Sequence, residues 1–161
     1  MAVTALPSKF ALRWNTLCAV ICLLVAGYFY YDGHYNKEYI EKEMIDGKPS
    51  IDLQINRTYG PIGCVITAMY LGYMVYSLSK KKVVVDDNGL TFSDGKNIPL
   101  DCLTKIDKSK LKNKGRLLIE YEDGDKVATV ELRDTVYDGV NEVLAEILKL
   151  TAKESGQSEE V

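Results

Sequence analysis

Two stretches without a single charged residue, Leu17–Tyr31 and Gly60–Leu78, limit what this chain can fold into. A bilayer's hydrocarbon core is about 30 Å thick, which takes ~20 helical residues at ~1.5 Å each. Trp14 and the Tyr28–Tyr31 cluster bracket the first run as an aromatic belt would, with roughly 27 Å of helix between them. The second run opens at Tyr59 and Pro61, has Tyr76 near its end, and is followed at once by Lys80, Lys81 and Lys82. Two membrane-spanning helices are therefore expected, at 14–31 and 59–79. A cleaved signal peptide is the competing reading of the first run, with Lys9 and Arg13 ahead of it and a cleavage site at Val25-Ala26-Gly27. The apolar run continues past that site without a break, which favours a retained span. A buried soluble helix competes for the second run, but the length without charge argues against it.

The charges flanking the spans give an orientation. Lys9 and Arg13 precede the first span, and three lysines follow the second. The loop at 32–58 holds more acids (Asp32, Glu38, Glu41, Glu43, Asp46, Asp52) than bases (Lys37, Lys42, Lys48, Arg57). The positive-inside rule then places the N-terminal segment 1–13 and everything after residue 79 in the cytoplasm, with the loop outside. Cys18, Cys22 and Cys64 lie in the spans and Cys102 in the cytoplasmic part, so none is placed for an extracytoplasmic disulfide.

Small residues recur every four positions in both spans: Cys18, Cys22 and Ala26 in the first, Gly60, Cys64, Ala68 and Gly72 in the second. Such stripes let helices approach closely where lipid gives no hydrophobic drive. They predict an antiparallel hairpin of the two spans, or docking on a partner membrane protein; the two uses are compatible. Tyr70 and Tyr73 fall near the middle of the second span, where a hydroxyl wants a hydrogen-bond partner, and so mark a possible contact with another helix. In the loop, Tyr35–Met44 reads as a charged helix ended by Gly47 and Pro49, and Ile51-Asp52-Leu53-Gln54-Ile55 alternates as a short strand or extended segment. His34 beside Asp32 is too little for a metal site, and Asn56-Arg57-Thr58 is read as a chance glycosylation triplet.

From Lys80 to about residue 152 the composition is that of a small α+β domain, followed by a polar tail at 153–161. Strands are expected at Val83–Val85, Leu90–Phe92, Ile98–Ile106, Arg116–Glu122 and Lys126–Leu132, with Asp/Asn/Gly turns between most of them. An amphipathic helix follows at Val136–Leu150, with Val136, Val140, Val143, Leu144 and Ile147 on one stripe. No glycine-rich loop opens a helix, and the only histidine lies in the loop across the membrane, so no Ser/His/Asp set is available. The expectation is a protein that is not an enzyme and has no cofactor or metal.

The segments Val84-Val85-Asp86-Asp87-Asn88-Gly89-Leu90 and Ile98-Pro99-Leu100-Asp101-Cys102-Leu103-Thr104-Lys105-Ile106-Asp107 carry a resemblance. Over about Val83 to Leu150 the chain resembles bacterial pleckstrin-homology-like (PH-like) domains found behind paired transmembrane helices. The matching residues are turn and packing positions. The resemblance implies an antiparallel sheet or partial barrel closed by the C-terminal helix, although five strands are visible where the family usually has seven.

Six cations crowd one stretch: Lys105, Lys108, Lys110, Lys112, Lys114 and Arg116. With Lys80, Lys81 and Lys82 they form a candidate contact with anionic membrane lipid, worth roughly 1 kcal/mol per cation near the surface. A solvated hairpin loop is the plainer reading. Nucleic acid is not expected, because acids outnumber bases from Lys80 onward. Two functions follow. One is a non-catalytic accessory or scaffold subunit that packs on a larger membrane protein complex. The other is a membrane-anchored module that binds anionic head groups.

Overall fold

The computed structural model describes residues 2–124 and 126–157. The chain divides into two compact units, one of residues Arg13–Tyr76 and one of Met1–Leu12 with Ser77–Val161. Both divisions fall inside long helices rather than in linkers.

The first unit is built on two helices, each long and apolar enough to cross a membrane: α1 (Lys9–His34) and a continuous helix over Ile51–Ser79. The second helix has three parts. These are α3 (Ile51–Gln54), a single π-helical turn at Ile55–Tyr59, and α4 (Gly60–Ser79). The short helix α2 (Lys37–Lys42) and a two-residue hairpin, β2 (Met44–Ile45) with β3 (Lys48–Pro49), connect them. Ser50 starts α3 by accepting a hydrogen bond from the Leu53 amide, while its own hydroxyl donates to Glu43 Oε2 at 2.7 Å. The strand expected at Ile51–Ile55 is therefore helix. Its alternation is compatible with either period over so short a run, and the Ser50 cap decides the outcome.

The second unit is an α+β domain. Its strands are β1 (Val3–Pro7), β4 (Val83–Asp86), β5 (Gly89–Phe92), β6 (Asn97–Ile98), β7 (Leu103–Asp107), β8 (Arg116–Asp123), β9 (Lys126–Arg133) and β10 (Tyr137–Asp138). One sheet runs β10-β1-β4-β5-β6 and the other β7-β8-β9, with antiparallel pairing throughout and no closed barrel among the described residues. The amphipathic helix α6 (Val140–Gln157) begins after Gly139, whose φ of +90° breaks the chain direction. The helix expected from Val136 thus starts four residues later, because Tyr137 and Asp138 pair with Pro7 and Leu6 of β1. Of the polar tail expected at 153–161, residues 153–157 continue α6, and 158–161 lie outside the described residues.

Both sheets and α6 share one core, which includes Val83, Val85, Leu90, Leu117, Ile119, Leu132, Val143 and Ile147. The interior face of each long strand reads directly from period-two alternation, as with Leu117, Ile119 and Tyr121 on β8. Gly89 closes the β4–β5 turn at φ +125°, and a Cβ there would strike the Ile98 carbonyl.

The sequence gives no hint of β1. Residues that precede the first apolar run fill the gap between β4 and β10, with Ala5 opposite Val83 and almost fully buried. The join to α1 is equally tight. Ser8 is buried and its amide donates to Val136 O at 2.9 Å, while the Lys9 amide donates to Asp138 Oδ2 at 3.0 Å. The start of α1 is thus capped by β10 of the domain. Because β1 runs into α1 and α4 runs into β4, and Ala5 pairs with Val83, the connections to both long helices leave from the same end of this strand pair.

Candidate functional site

Three places in the molecule bear on function: the seam between the two long helices, the outward face of α4, and the basic segment of the domain.

The seam is set by small residues. On α1 the less exposed positions include Asn15, Cys18, Cys22, Ala26, Phe29 and Gly33, and on the second helix Leu53, Asn56, Gly60, Cys64, Ala68, Leu71 and Val75. Each set follows the helical period of ~3.6 residues. The Phe29 ring packs on Gly60, where a Cβ would come within 2.6 Å of a ring carbon. One turn further along α1, Gly33 lies against the backbone of Asn56 and Arg57, and a Cβ there would be 2.8 Å from the Arg57 nitrogen. The helices run antiparallel, so this register continues to put Ala26 level with Cys64 and Cys22 level with Ala68. Ala26 and Ala68 are both buried. Gly72 is not on this face. It is exposed, and a Cβ would meet nothing within 4 Å. A strict four-residue repeat gains about 40° per step on a helix, so by the third step the stripe has rotated off the seam, and Leu71 and Val75 take over.

A polar knot that the sequence reading missed closes one end of this seam. Asp32 and Asn56 are buried, and Asn36 Nδ2 donates to Asp32 Oδ1 at 3.0 Å. Arg57 Nε donates to the Gly33 carbonyl at 2.8 Å, tying the two helices together. The π-turn sits at this point, and the Gly60 amide reaches back to Ile55 O. Tyr39, on α2, has its phenol pushed up by burial and then by Glu43, Asp52 and Asp32. The available signal was Gly33 itself, one helical turn beyond Phe29 on the small-residue face.

The opposite side of α4 carries Ile62, Ile66, Met69, Tyr70, Tyr73 and Tyr76, all exposed. Tyr70 is 61% and Tyr73 67% exposed, and among the described residues neither hydroxyl has a hydrogen-bond partner. Tyr70 lies more than two turns from either end of α4 and Tyr73 about one and a half turns from its C-terminal end, both inside the apolar run.

In the domain, the basic residues are spread over several elements. Lys105 sits on β7, Lys112 and Lys114 on the short helix α5 (Leu111–Lys114), Arg116 at the start of β8, and Lys108 and Lys110 in the turn between β7 and α5. Lys105 faces Glu120 at 3.9 Å and Arg116 faces Glu131 at 3.5 Å. Arg133, by its hydrogen bond, holds the Glu131 carboxyl below the ordinary range. Asp107, the one acid in the segment, accepts the Ser109 amide at 2.8 Å, and those Ser109 hydrogen bonds hold its carboxyl low as well. Lys108, Lys110, Lys112 and Lys114 have no carboxylate within ion-pair distance among the described residues. Lys80, Lys81 and Lys82 are exposed at the junction of α4 and β4.

Lys96, from the β5–β6 turn, reaches across to β8. Its Nζ bonds the Tyr121 hydroxyl and stands 4.7 Å from that ring's centre. This contact joins the two sheets and raises the lysine's pKa. Among the described residues no group of three His, Cys, Asp or Glu side chains is placed to hold a metal ion. Compared with known proteins, the chain matches no family model, no curated protein and no solved structure.

Proposed function

We propose that this chain is a non-catalytic integral membrane subunit that packs against a larger membrane protein through the Tyr70/Tyr73 face of α4. In this reading α1 and the helix Ile51–Ser79 cross a bacterial inner membrane as a hairpin. The loop between them is extracytoplasmic, and the α+β domain, a variant of the PH-like arrangement, docks on the partner's cytoplasmic side.

One observation carries the proposal: two unpartnered tyrosine hydroxyls project from mid-helix on the side facing away from the seam. Left in hydrocarbon, each would forgo a hydrogen bond that water or protein otherwise supplies, at a cost of order 1–3 kcal/mol. A neighbouring helix with polar or carbonyl groups removes that cost. Two further features fit. The basic flanks Lys9, Arg13 and Lys80–Lys82 obey the positive-inside rule. The pairing of β1 with β4 needs the residues before α1 and those after α4 on one side of the membrane, as an even number of crossings provides.

Photocrosslinking tests the proposal. A photoreactive phenylalanine in place of Tyr70 or Tyr73, activated in native membranes, is expected to give a discrete protein adduct at both positions. The same probe at Leu24 of α1 serves as the comparison. Lipid adducts alone at 70 and 73 overturn the reading.

A further inference from the structure

Between α5 and α6 lies an open cleft of about 500 Å³, lined by Lys108, Leu111, Lys112, Asn141 and Leu144. Its floor is apolar, because Leu111 and Leu144 are partly buried against the domain core. Its rim carries two exposed ammonium groups and one exposed side-chain amide. Lys108 and Lys112 are also two of the four lysines without a carboxylate partner, whereas Lys105 and Arg116, outside the cleft, each face a glutamate.

That distribution is unusual in a chain whose formal net charge is −3. Four cations within Lys108–Lys114 repel one another; Asp107 and Glu131 attract Lys110, but Lys108 and Lys112 have no carboxylate within ion-pair distance among the described residues. A ligand that supplies anionic oxygens to the rim and carbon to the floor offsets both costs. From this geometry we infer that the α5–α6 cleft binds the phosphate head group of an anionic membrane lipid. The phosphate sits between Lys108 and Lys112, the Asn141 amide donates to a phosphate or ester oxygen, and the glycerol carbons lie on Leu111 and Leu144. Lysine suits this role as a point charge, needing no fixed fork geometry. A membrane lipid is the occupant because the chain's own spans hold the domain near a bilayer surface. There, head groups are present at high effective concentration and each added cation contributes to attraction. The inference rests on the two-span reading but not on the tyrosine-face partner.

The test uses the full chain in nanodiscs, one set of phosphatidylcholine alone and one containing phosphatidylglycerol. Lysine acetylation is read by mass spectrometry, with exposed Lys126 as the internal reference. Phosphatidylglycerol is expected to slow labelling of Lys108 and Lys112 at least about fivefold relative to Lys126. The effect should vanish near 1 M salt, where the Debye length is about 3 Å. Asn141→Ala, at an exposed position, is expected to reduce the protection without unfolding the domain. Equal labelling in both nanodiscs overturns the inference. So does protection by millimolar glycerol phosphate in phosphatidylcholine nanodiscs, which would identify a soluble phosphate ligand instead. Failure of the chain to enter nanodiscs at all would refute the two spans and the cleft's lipid together, whereas entry without protection refutes the cleft alone.

Discussion

Replacing Ala5 with aspartate tests whether residues ahead of the first apolar run belong to the domain. Ala5 is 1% exposed, pairs with Val83, and lies 3.9 Å from where a Cβ on Gly139 would sit. Ala5 belongs to a buried apolar cluster with Val83, Val85 and Val140, and among the described residues that cluster contains no basic side chain. An uncompensated buried charge costs roughly 3–5 kcal/mol, a large part of the 5–15 kcal/mol typical of a domain. For a domain of this size the melting temperature should fall on the order of 15 °C or more. Thr4→Asp, one residue away on the exposed side of the strand, should change stability by less than about 0.5 kcal/mol. The assay is pulse proteolysis of the full chain in mild detergent at rising temperature, following tryptic cleavage at Arg116 and Arg133. Both residues lie in strands, so cleavage requires the sheet to open. The pH dependence separates charge from size. Burial raises the folded-state pKa of an introduced carboxyl above its unfolded value. The variant's deficit is therefore small below about pH 4 and grows as pH rises toward the raised value. An Ala5→Asp protein that melts with the wild type at pH 7 would refute the placement of β1.

Gly89→Ala should destabilise the domain by at least about 1–3 kcal/mol, because φ +125° is strained for any side chain and the Ile98 carbonyl occupies the Cβ position; thermal melts check this. The seam register predicts that a chain with Cys22 and Ala68→Cys as its only cysteines forms an oxidant-induced disulfide, whereas Cys22 with Gly72→Cys does not; gel mobility under oxidising conditions reads the difference. Glu131 should titrate below its ordinary value of 4.5, and Arg133→Gln should bring the midpoint up toward it in a carboxyl NMR titration. Because that folded-state pKa is depressed, any stability from the pair is present at neutral pH and lost as pH falls through the folded value.

The local patterns carried much of this fold. Strands β8 and β9 show period-two alternation on either side of the turn at Gly124, β4 and β5 flank the Asp87-Asn88-Gly89 turn, and the two long helices show as uncharged runs. What was not legible depended on distant partners. The strand β1 is five residues ending in proline, and it is a strand only because Val85 and Asp138, far along the chain, supply its neighbours. The same pairing takes Tyr137 and Asp138 out of the amphipathic helix and raises the strand count above the five expected. The basic run was visible as composition. Its division into glutamate-facing Lys105 and Arg116 and cleft-lining Lys108 and Lys112 required the β7–β8–β9 register, which sets Lys105 opposite Glu120 and brings Glu131 beside Arg116. The polar knot of Asp32, Gly33, Asn56 and Arg57 joins residues on either side of the loop, so no single window of sequence contains it.

The most direct test of the account is side-specific labelling of single cysteines with a membrane-impermeant maleimide, after the four native cysteines have been replaced. Glu41→Cys, in the exposed loop helix, is expected to react in intact spheroplasts. Ala2→Cys and Lys126→Cys are expected to react together, and only after permeabilisation, because β1 and β9, in different sheets, share one core, which the proposed topology places on the cytoplasmic side. If position 2 and position 126 are labelled from opposite sides of the membrane, the hairpin and the shared core cannot both exist, and the account fails.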